Sequence, residues 1–283
     1  MTIFIAHLGP SGTYTEQAAL AYISRETEIM GKAVLCPYPS IAQTLKAVAQ
    51  GQATLGVVPV ENSVEGGVAI TLDMVWRLDM QIQLALEMPI IHALLSSAPN
   101  IESIETVYSH PQALAQCQGW LEQFLPTARL IATNSNTEAL PQIEQDTKAG
   151  AIASSRAAGI YHLPILASAI NDYPDNCTRF WVVSTQSMTS YHHSSNPLYT
   201  SLAFSLGANI PGSLVKALQI FAQRGINLSR IESRPSKRAL GEYIFFIDLE
   251  SQMDSAAVQS ALLELTTYTE VLKLFGSYRI LSL

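Results

Sequence analysis

The sequence predicts an α/β protein in two parts: a mainly parallel sheet built from βα units over residues 3–170, then a ferredoxin-like βαββαβ unit from residue 201 onward. Three observations carry this reading. Short apolar runs alternate with amphipathic stretches through the first part, the signature of βα units. A stretch rich in Ser, Thr, His and Asn, with Pro197, spans 184–200 and reads as a linker. Beyond it, strand, helix, strand, strand, helix and strand follow one another within about 80 residues, the ferredoxin-like order.

The strand candidates of the first part are 3–8, 33–37, 55–58, 83–91, 106–109, 128–132 and 151–153, each a short apolar run. Helical patterns follow several of them, at 15–25, 41–50, 112–124 and 155–161. In the third of these, Ala113, Leu114, Cys117, Leu121 and Phe124 recur at spacings of three and four and form one apolar stripe. The second part reads as strand 201–206, helix 213–224, strands 228–233 and 242–249, helix 256–267 and strand 271–274. Leu214, Ala217, Leu218 and Phe221 share a face of its first helix, and Gly225 stands where a left-handed helix stop is wanted.

At 283 residues the chain is long enough for two domains with real cores, and a charged fraction of 14% against 48% hydrophobic argues against disorder. The net charge of −7, without a basic stripe, argues against a nucleic-acid partner. Asp73, Arg77 and Asp79 interrupt the most apolar region, so no membrane span is expected. The first residues carry no basic segment and run straight into strand-like sequence, which predicts a cytoplasmic protein without a signal peptide. Cys36, Cys117 and Cys177 lack CxxC spacing and read as free thiols. His192-His193 has no Asp, Glu or Cys cluster beside it, so no metal site is expected.

Four segments could carry chemistry. Leu8-Gly9-Pro10-Ser11-Gly12-Thr13-Tyr14-Thr15-Glu16 joins a strand to a helix. Thr13 with Glu16 makes a capping box, and the helix start suits a carboxylate or phosphate, although an ordinary tight connection uses the same residues. The segment is neither a Walker loop nor GxGxxG. In Pro59-Val60-Glu61-Asn62-Ser63 a strand ends in polar groups, where open α/β sheets bind ligands; a turn capped by Asn62 and Ser63 is the plainer alternative. Ser109-His110-Pro111-Gln112 repeats the strand-to-helix plan, with His110 able to exchange a proton or simply to hydrogen-bond. In Asn176-Cys177-Thr178-Arg179-Phe180 alternation puts Thr178 and Phe180 on one face and Arg179 on the other, so only one of Thr178 and Arg179 faces a given pocket.

These segments, together with Pro211-Gly212-Ser213-Leu214 and Ile231-Glu232-Ser233-Arg234-Pro235, resemble the prephenate dehydratases in their stand-alone form with a C-terminal ACT domain. Six motifs in family order cover nearly the whole chain. Departures are small: Thr15 stands where Ser is more usual, Ser213 where Ala is, and 134–138 is more polar than the family's small-residue run.

The resemblance implies a catalytic domain over 1–183 with a periplasmic-binding-protein-like fold, its lobes being about 1–72 plus 177–183, and 73–176. A linker at 184–200 and an ACT regulatory domain over 201–283 follow. It implies conversion of prephenate to phenylpyruvate with loss of carbon dioxide and water, with no cofactor because aromatisation drives the reaction. Thr178 falls on the family's key position, as hydrogen-bond donor to the leaving oxygen. Glu61 and His110 are the candidate proton donors; the expected substrate contacts are Ser11, Gly12, Thr13, Asn62, Ser63, Ser109, Gln112 and Phe180. Phenylalanine is the implied effector, at Gly212, Ser213, Leu214, Val215, Asn227, Leu228, Glu232 and Ser233 in a homodimer or homotetramer. An arogenate dehydratase would share these motifs, and a non-catalytic small-acid receptor would share the two-lobed plan.

Overall fold

The structure is a computed structural model that describes residues 2–26, 29–186, 198–207 and 210–283. The first lobe comprises β1 (Ile3–Leu8), α1 (Tyr14–Arg25), β2 (Ala33–Tyr38), α2 (Ile41–Ala49), β3 (Leu55–Asn62), the two-residue β4 (Gly66–Gly67), α3 (Ala69–Leu78) and β5 (Gln81–Pro89). The second comprises β6 (His92–Leu95), β7 (Thr106–Ser109), α4 (Pro111–Gln116), α5 (Gln118–Phe124), β8 (Arg129–Ala132), α6 (Leu140–Ile143), β9 (Ala149–Ser154), α7 (Ser155–Ile160) and β10 (Ile165–Ser168). The chain then returns to the first lobe as β11 (Cys177–Ser184). Last come β12 (Tyr199–Leu206), α8 (Ser213–Ala222), β13 (Leu228–Pro235), β14 (Tyr243–Leu249), α9 (Ala256–Leu265), β15 (Thr269–Tyr278) and β16 (Ile280–Ser282).

Each part has its own sheet. The first-lobe order is β16-β5-β11-β3-β1-β2 with β4 on β3, the second-lobe order β10-β6-β9-β7-β8, and the C-terminal order β13-β14-β12-β15. Thr13 caps α1 by accepting from the Glu16 amide at 3.3 Å, as the capping box requires. Helices α8 and α9 cover one face of the C-terminal sheet around Phe204, Phe221, Ile247 and Leu265. The opposite face, through Ala203, Ile244, Phe246, Phe275 and Tyr278, shares a core with Trp181, Val183 and Met80 of the first lobe.

Three expectations need correction. The chain leaves the first lobe after Pro89 and not near Leu72, because β5 pairs antiparallel with β11 along its length. Its Leu84, Leu86 and Met88 pack on Ile5, Val57, Phe180 and Val182, so β5 completes the first-lobe core. The Ile90 amide donates to the Asn176 carbonyl at 2.8 Å and ties the outgoing and returning chain together at the hinge.

The single helix expected at 112–124 is two, broken at Cys117 (φ −121°, ψ 16°). Asp172 draws the break by accepting from the amides of Gly119 at 2.9 Å and Trp120 at 3.2 Å, thereby capping α5.

The C-terminal unit does not keep residues 280–282 to itself. Strand β16 pairs parallel with β5, and Arg279 reaches Glu26 at 2.9 Å, so the last strand enters the first-lobe sheet. The expected linker and the His192-His193 pair lie largely in 187–197, outside the described residues.

Candidate active site

A cavity of about 560 Å³ opens between the lobes. The first lobe contributes Gly12, Thr13, Tyr14, Asn62, Glu65, Thr178 and Phe180; the second contributes His92, His110, Gln112, Gln116, Asn134, Ser135, Asn136 and Ser154. The lobes meet at its rim, where Arg156 Nη1 is 2.6 Å from Glu16 Oε2, Ser154 Oγ donates to the Gly12 carbonyl at 3.1 Å, and Tyr161 Oη donates to the Ser11 carbonyl at 3.0 Å.

Strand alternation decides which side chains reach this cavity. Thr178 and Phe180 line it, whereas Arg179 turns to the other face, 2.8 Å from Glu87, 3.4 Å from Glu61 and 3.9 Å from Asp248. Thr178 and Asn62 are direct cross-strand neighbours, which brings Asn62 Nδ2 to 2.8 Å from Thr178 Oγ1.

The direction of that bond follows from the backbone. Asn62 Oδ1 accepts from the amides of Val64 and Glu65, each at 3.0 Å, so Nδ2 must face Thr178 and Asn176. Thr178 Oγ1 is therefore an acceptor toward Asn62, and its hydroxyl proton remains available to the cavity. Ser135, on the second-lobe wall, has its Oγ buried with no hydrogen-bond partner among the described residues.

Among the described residues the lining contains neither Lys nor Arg. His110 is present, but its Nδ1 accepts from the Gln112 amide at 3.3 Å as the cap of α4. Burial lowers the His110 pKa, against an opposing pull from Glu65. The neutral ring then carries its proton on Nε2.

Several sequence candidates lie elsewhere. Glu61 sits on the Arg179 face and does not line the cavity. Ser109 is buried, donating to the Ile152 carbonyl at 2.6 Å. Ser63 is exposed and accepts from the Cys177 amide at 2.9 Å, and Ser11 also lies outside the lining. The Gly12 amide, expected to hold a ligand carboxylate, already donates to Glu16 Oε2 at 2.7 Å. By helix geometry the amides of Tyr14 and Thr15 have no intrahelical acceptor, and both residues line the cavity.

Sequence reading missed His92, Gln116 and Asn176. Two of them left a signal: Gln116 is polar on the buried face of α4, and His92 is a lone imidazole within an apolar strand.

A second cavity of about 450 Å³ lies at the start of α8, lined by Gly212, Ser213, Leu214 and Val215 with Arg238, Tyr243, Phe245 and Glu270. Gly212 caps α8 with φ +86°, where a glycine is strongly favoured. The other expected effector residues are not brought to it within one chain. Asn227, which bonds Glu250 at 2.8 Å, and Leu228, in the helix-side core, lie beyond the far end of α8. Glu232 faces Gly67 of the first lobe, and Ser233 is exposed.

A two-lobed α/β fold with a cleft of hydrogen-bonding side chains between its lobes, joined to a C-terminal βαββαβ sheet, is the architecture of a small-ligand-binding protein. The prephenate dehydratase family pattern matches residues 5–188, and the ACT domain pattern matches 200–266. The bifunctional chorismate mutase/prephenate dehydratase of Aquifex aeolicus is 42% identical over 98% of this chain and 73% of its own length. The prephenate dehydratase of Lactococcus lactis subsp. cremoris is 36% identical, covering 99% of this chain and 98% of the relative. The crystal structure of the Arthrobacter aurescens prephenate dehydratase in complex with L-Phe has a TM-score of 0.84 at 33% identity, covering 98% and 90% of the two chains. The chain belongs to the prephenate dehydratase family.

Proposed function

We propose that the interlobe cavity performs the dehydratase reaction through hydrogen bonding and orientation, with Thr178 as the donor to the departing hydroxyl. Prephenate carries two carboxylates and one ring hydroxyl. As the ring carboxylate leaves as carbon dioxide, its C–C electrons enter the ring, the C–O bond breaks, and the oxygen takes up a proton to depart as water. The product is phenylpyruvate. Aromatisation supplies the driving force, so the chain needs mainly to orient the substrate, an effect worth up to roughly 7–11 kcal/mol.

The observation that carries this reading is the oriented Thr178 hydroxyl, which accepts from Asn62 and keeps its proton for the ligand. Its hydrogen bond strengthens as the leaving oxygen gains negative charge, so it favours the transition state over the bound substrate. The lack of Lys and Arg from the described lining supports the same reading, since a cation beside the ring carboxylate would hold it against decarboxylation. Gln116 and the first-turn amides of α1 are the neutral donors for the carboxylates.

Glu65 favours a second reading. It is the only carboxylate among the described lining residues, and the ammonium of arogenate would pair with it. Incubating the protein with prephenate and with arogenate separates the two: phenylpyruvate from prephenate at the higher rate supports the first reading, and phenylalanine from arogenate at the higher rate supports the second.

Regulation by phenylalanine at the Gly212 cavity, in a cytoplasmic homodimer or homotetramer, completes the proposal. The L-Phe complex of the Arthrobacter relative supports the effector. Ile210 and Val215, 61% and 64% exposed beside that cavity, support its being covered by a second copy.

A further inference from the structure

The direction of hydrogen bonding that starts at the Val64 and Glu65 amides does not stop at Asn62. Asn62 Nδ2 donates to Asn176 Oδ1 at 2.7 Å, so the opposite end of the Asn176 amide is its nitrogen. That nitrogen donates to Gln116 Oε1 at 2.8 Å. Gln116 Oε1 is thus an acceptor, and the imidazole nitrogen facing it, His92 Nε2 at 3.1 Å, must carry a hydrogen. His92 Nδ1 is left as an acceptor facing the Tyr14 hydroxyl at 3.0 Å, so the single Tyr14 hydrogen goes to Nδ1, with the Ile91 carbonyl at 2.8 Å as the competing acceptor. The ring is 2% exposed, packed edge-on against Tyr14, and burial favours its neutral form. Each link from two backbone amides to the imidazole therefore has one permitted polarity.

We propose that His92 is a positioning residue for the dehydratase: its Nε2–H, with Asn176, pins the oxygen of Gln116 away from the ligand, so that the Gln116 amide nitrogen is presented as a donor to the cavity. Among the described residues Gln116 Nε2 makes only a long contact, 3.4 Å to Glu65 Oε1, and Gln116 lines the cavity. Without the imidazole hydrogen, one of the two donors holding Gln116 Oε1 is gone, and a flipped amide would turn an oxygen toward an anionic substrate. His92 itself acts through Gln116, and the inference rests on the cavity being the dehydratase site.

Two experiments test this. Nitrogen-15 NMR of the histidine side chains in the wild-type protein at neutral pH reads the tautomer without any substrate. His92, identified by the signal lost in His92→Gln, is expected as the Nε2–H tautomer; a Nδ1–H tautomer overturns the proposal whatever the reaction is. Steady-state kinetics on prephenate then compare His92→Leu, His92→Gln, Gln116→Leu and the His92→Leu/Gln116→Leu double variant. His92→Leu is expected to lower kcat by about tenfold, the scale of one misdirected hydrogen bond, and His92→Gln, which keeps an N–H near the same place, to recover most of it. The double variant is expected to match Gln116→Leu alone. Multiplicative losses, or wild-type kcat in His92→Leu, overturn the positioning role. Absence of turnover in the wild type with the expected tautomer present would instead sink the functional reading.

Discussion

The carboxylate of Glu232, on the edge strand of the C-terminal sheet, lies over Gly67 and leaves no room for a Cβ there. Gly67 also lines the interlobe cavity, so one backbone turn is touched by the C-terminal sheet and borders the cavity. Burial raises the Glu232 pKa, and Arg230 holds the carboxylate from 3.5 Å. Glu232→Ala is therefore expected to weaken inhibition by phenylalanine several-fold while calorimetry still detects phenylalanine binding, because the Gly212 cavity is not lined by Glu232. Loss of binding itself would return Glu232 to the effector site.

Arg230 and Asp248 form a buried pair at 2.7 Å beneath this contact, with the guanidinium 5.3 Å from the Trp181 ring of β11. Their side chains are 5% and 1% exposed. Asp248→Ala strands a buried cation, and urea unfolding is expected to show a loss of about 3–5 kcal/mol, against a much smaller change for a surface substitution. A loss below about 1 kcal/mol would mean that Glu61 and Glu232 already compensate the charge.

Glu16 joins the lobes and gives a pH dependence with a definite sign. Burial pushes its pKa up, but the Gly12 amide and Arg156 outweigh that and hold it below the ordinary value of 4.5. A depressed folded-state pKa contributes stability that is present above 4.5 and disappears as pH falls through the lower folded value. Wild type is expected to exceed Glu16→Gln by about 1 kcal/mol at neutral pH, modest because Arg156 is partly exposed, and the gap should close in acid. A gap constant with pH would show that the ion pair contributes nothing beyond its shape.

What could be read from the sequence divides along a physical line. The alternation that separates Thr178 from Arg179 was legible, because a strand has a period of two whatever it packs on. The same rule separates Asn62 from Glu61, and applying it there would have removed Glu61 from the cavity. The capping box at Thr13 was legible, yet the sequence does not say that Glu16 also occupies the Gly12 amide, since that depends on how the loop closes. The membership of β5 in the first-lobe sheet, the break at Cys117 and the entry of β16 into that sheet all depend on partners far away in the chain: β11, Asp172 and Glu26. Gln116 looked like one more position on an amphipathic helix, because its role comes from Asn176 and His92, 60 and 24 residues away.

The turnover of Thr178→Ala on prephenate, followed by the appearance of phenylpyruvate alongside the substrate dissociation constant, tests the central claim most directly. Asn62 holds Thr178 Oγ1 at 2.8 Å so that its proton faces the cavity, and losing that one donor should lower kcat by about 10²–10³ with affinity nearly unchanged. Thr178→Ser, which keeps the hydroxyl, should retain more activity than Thr178→Ala. A Thr178→Ala protein that turns over at close to the wild-type rate would contradict the account.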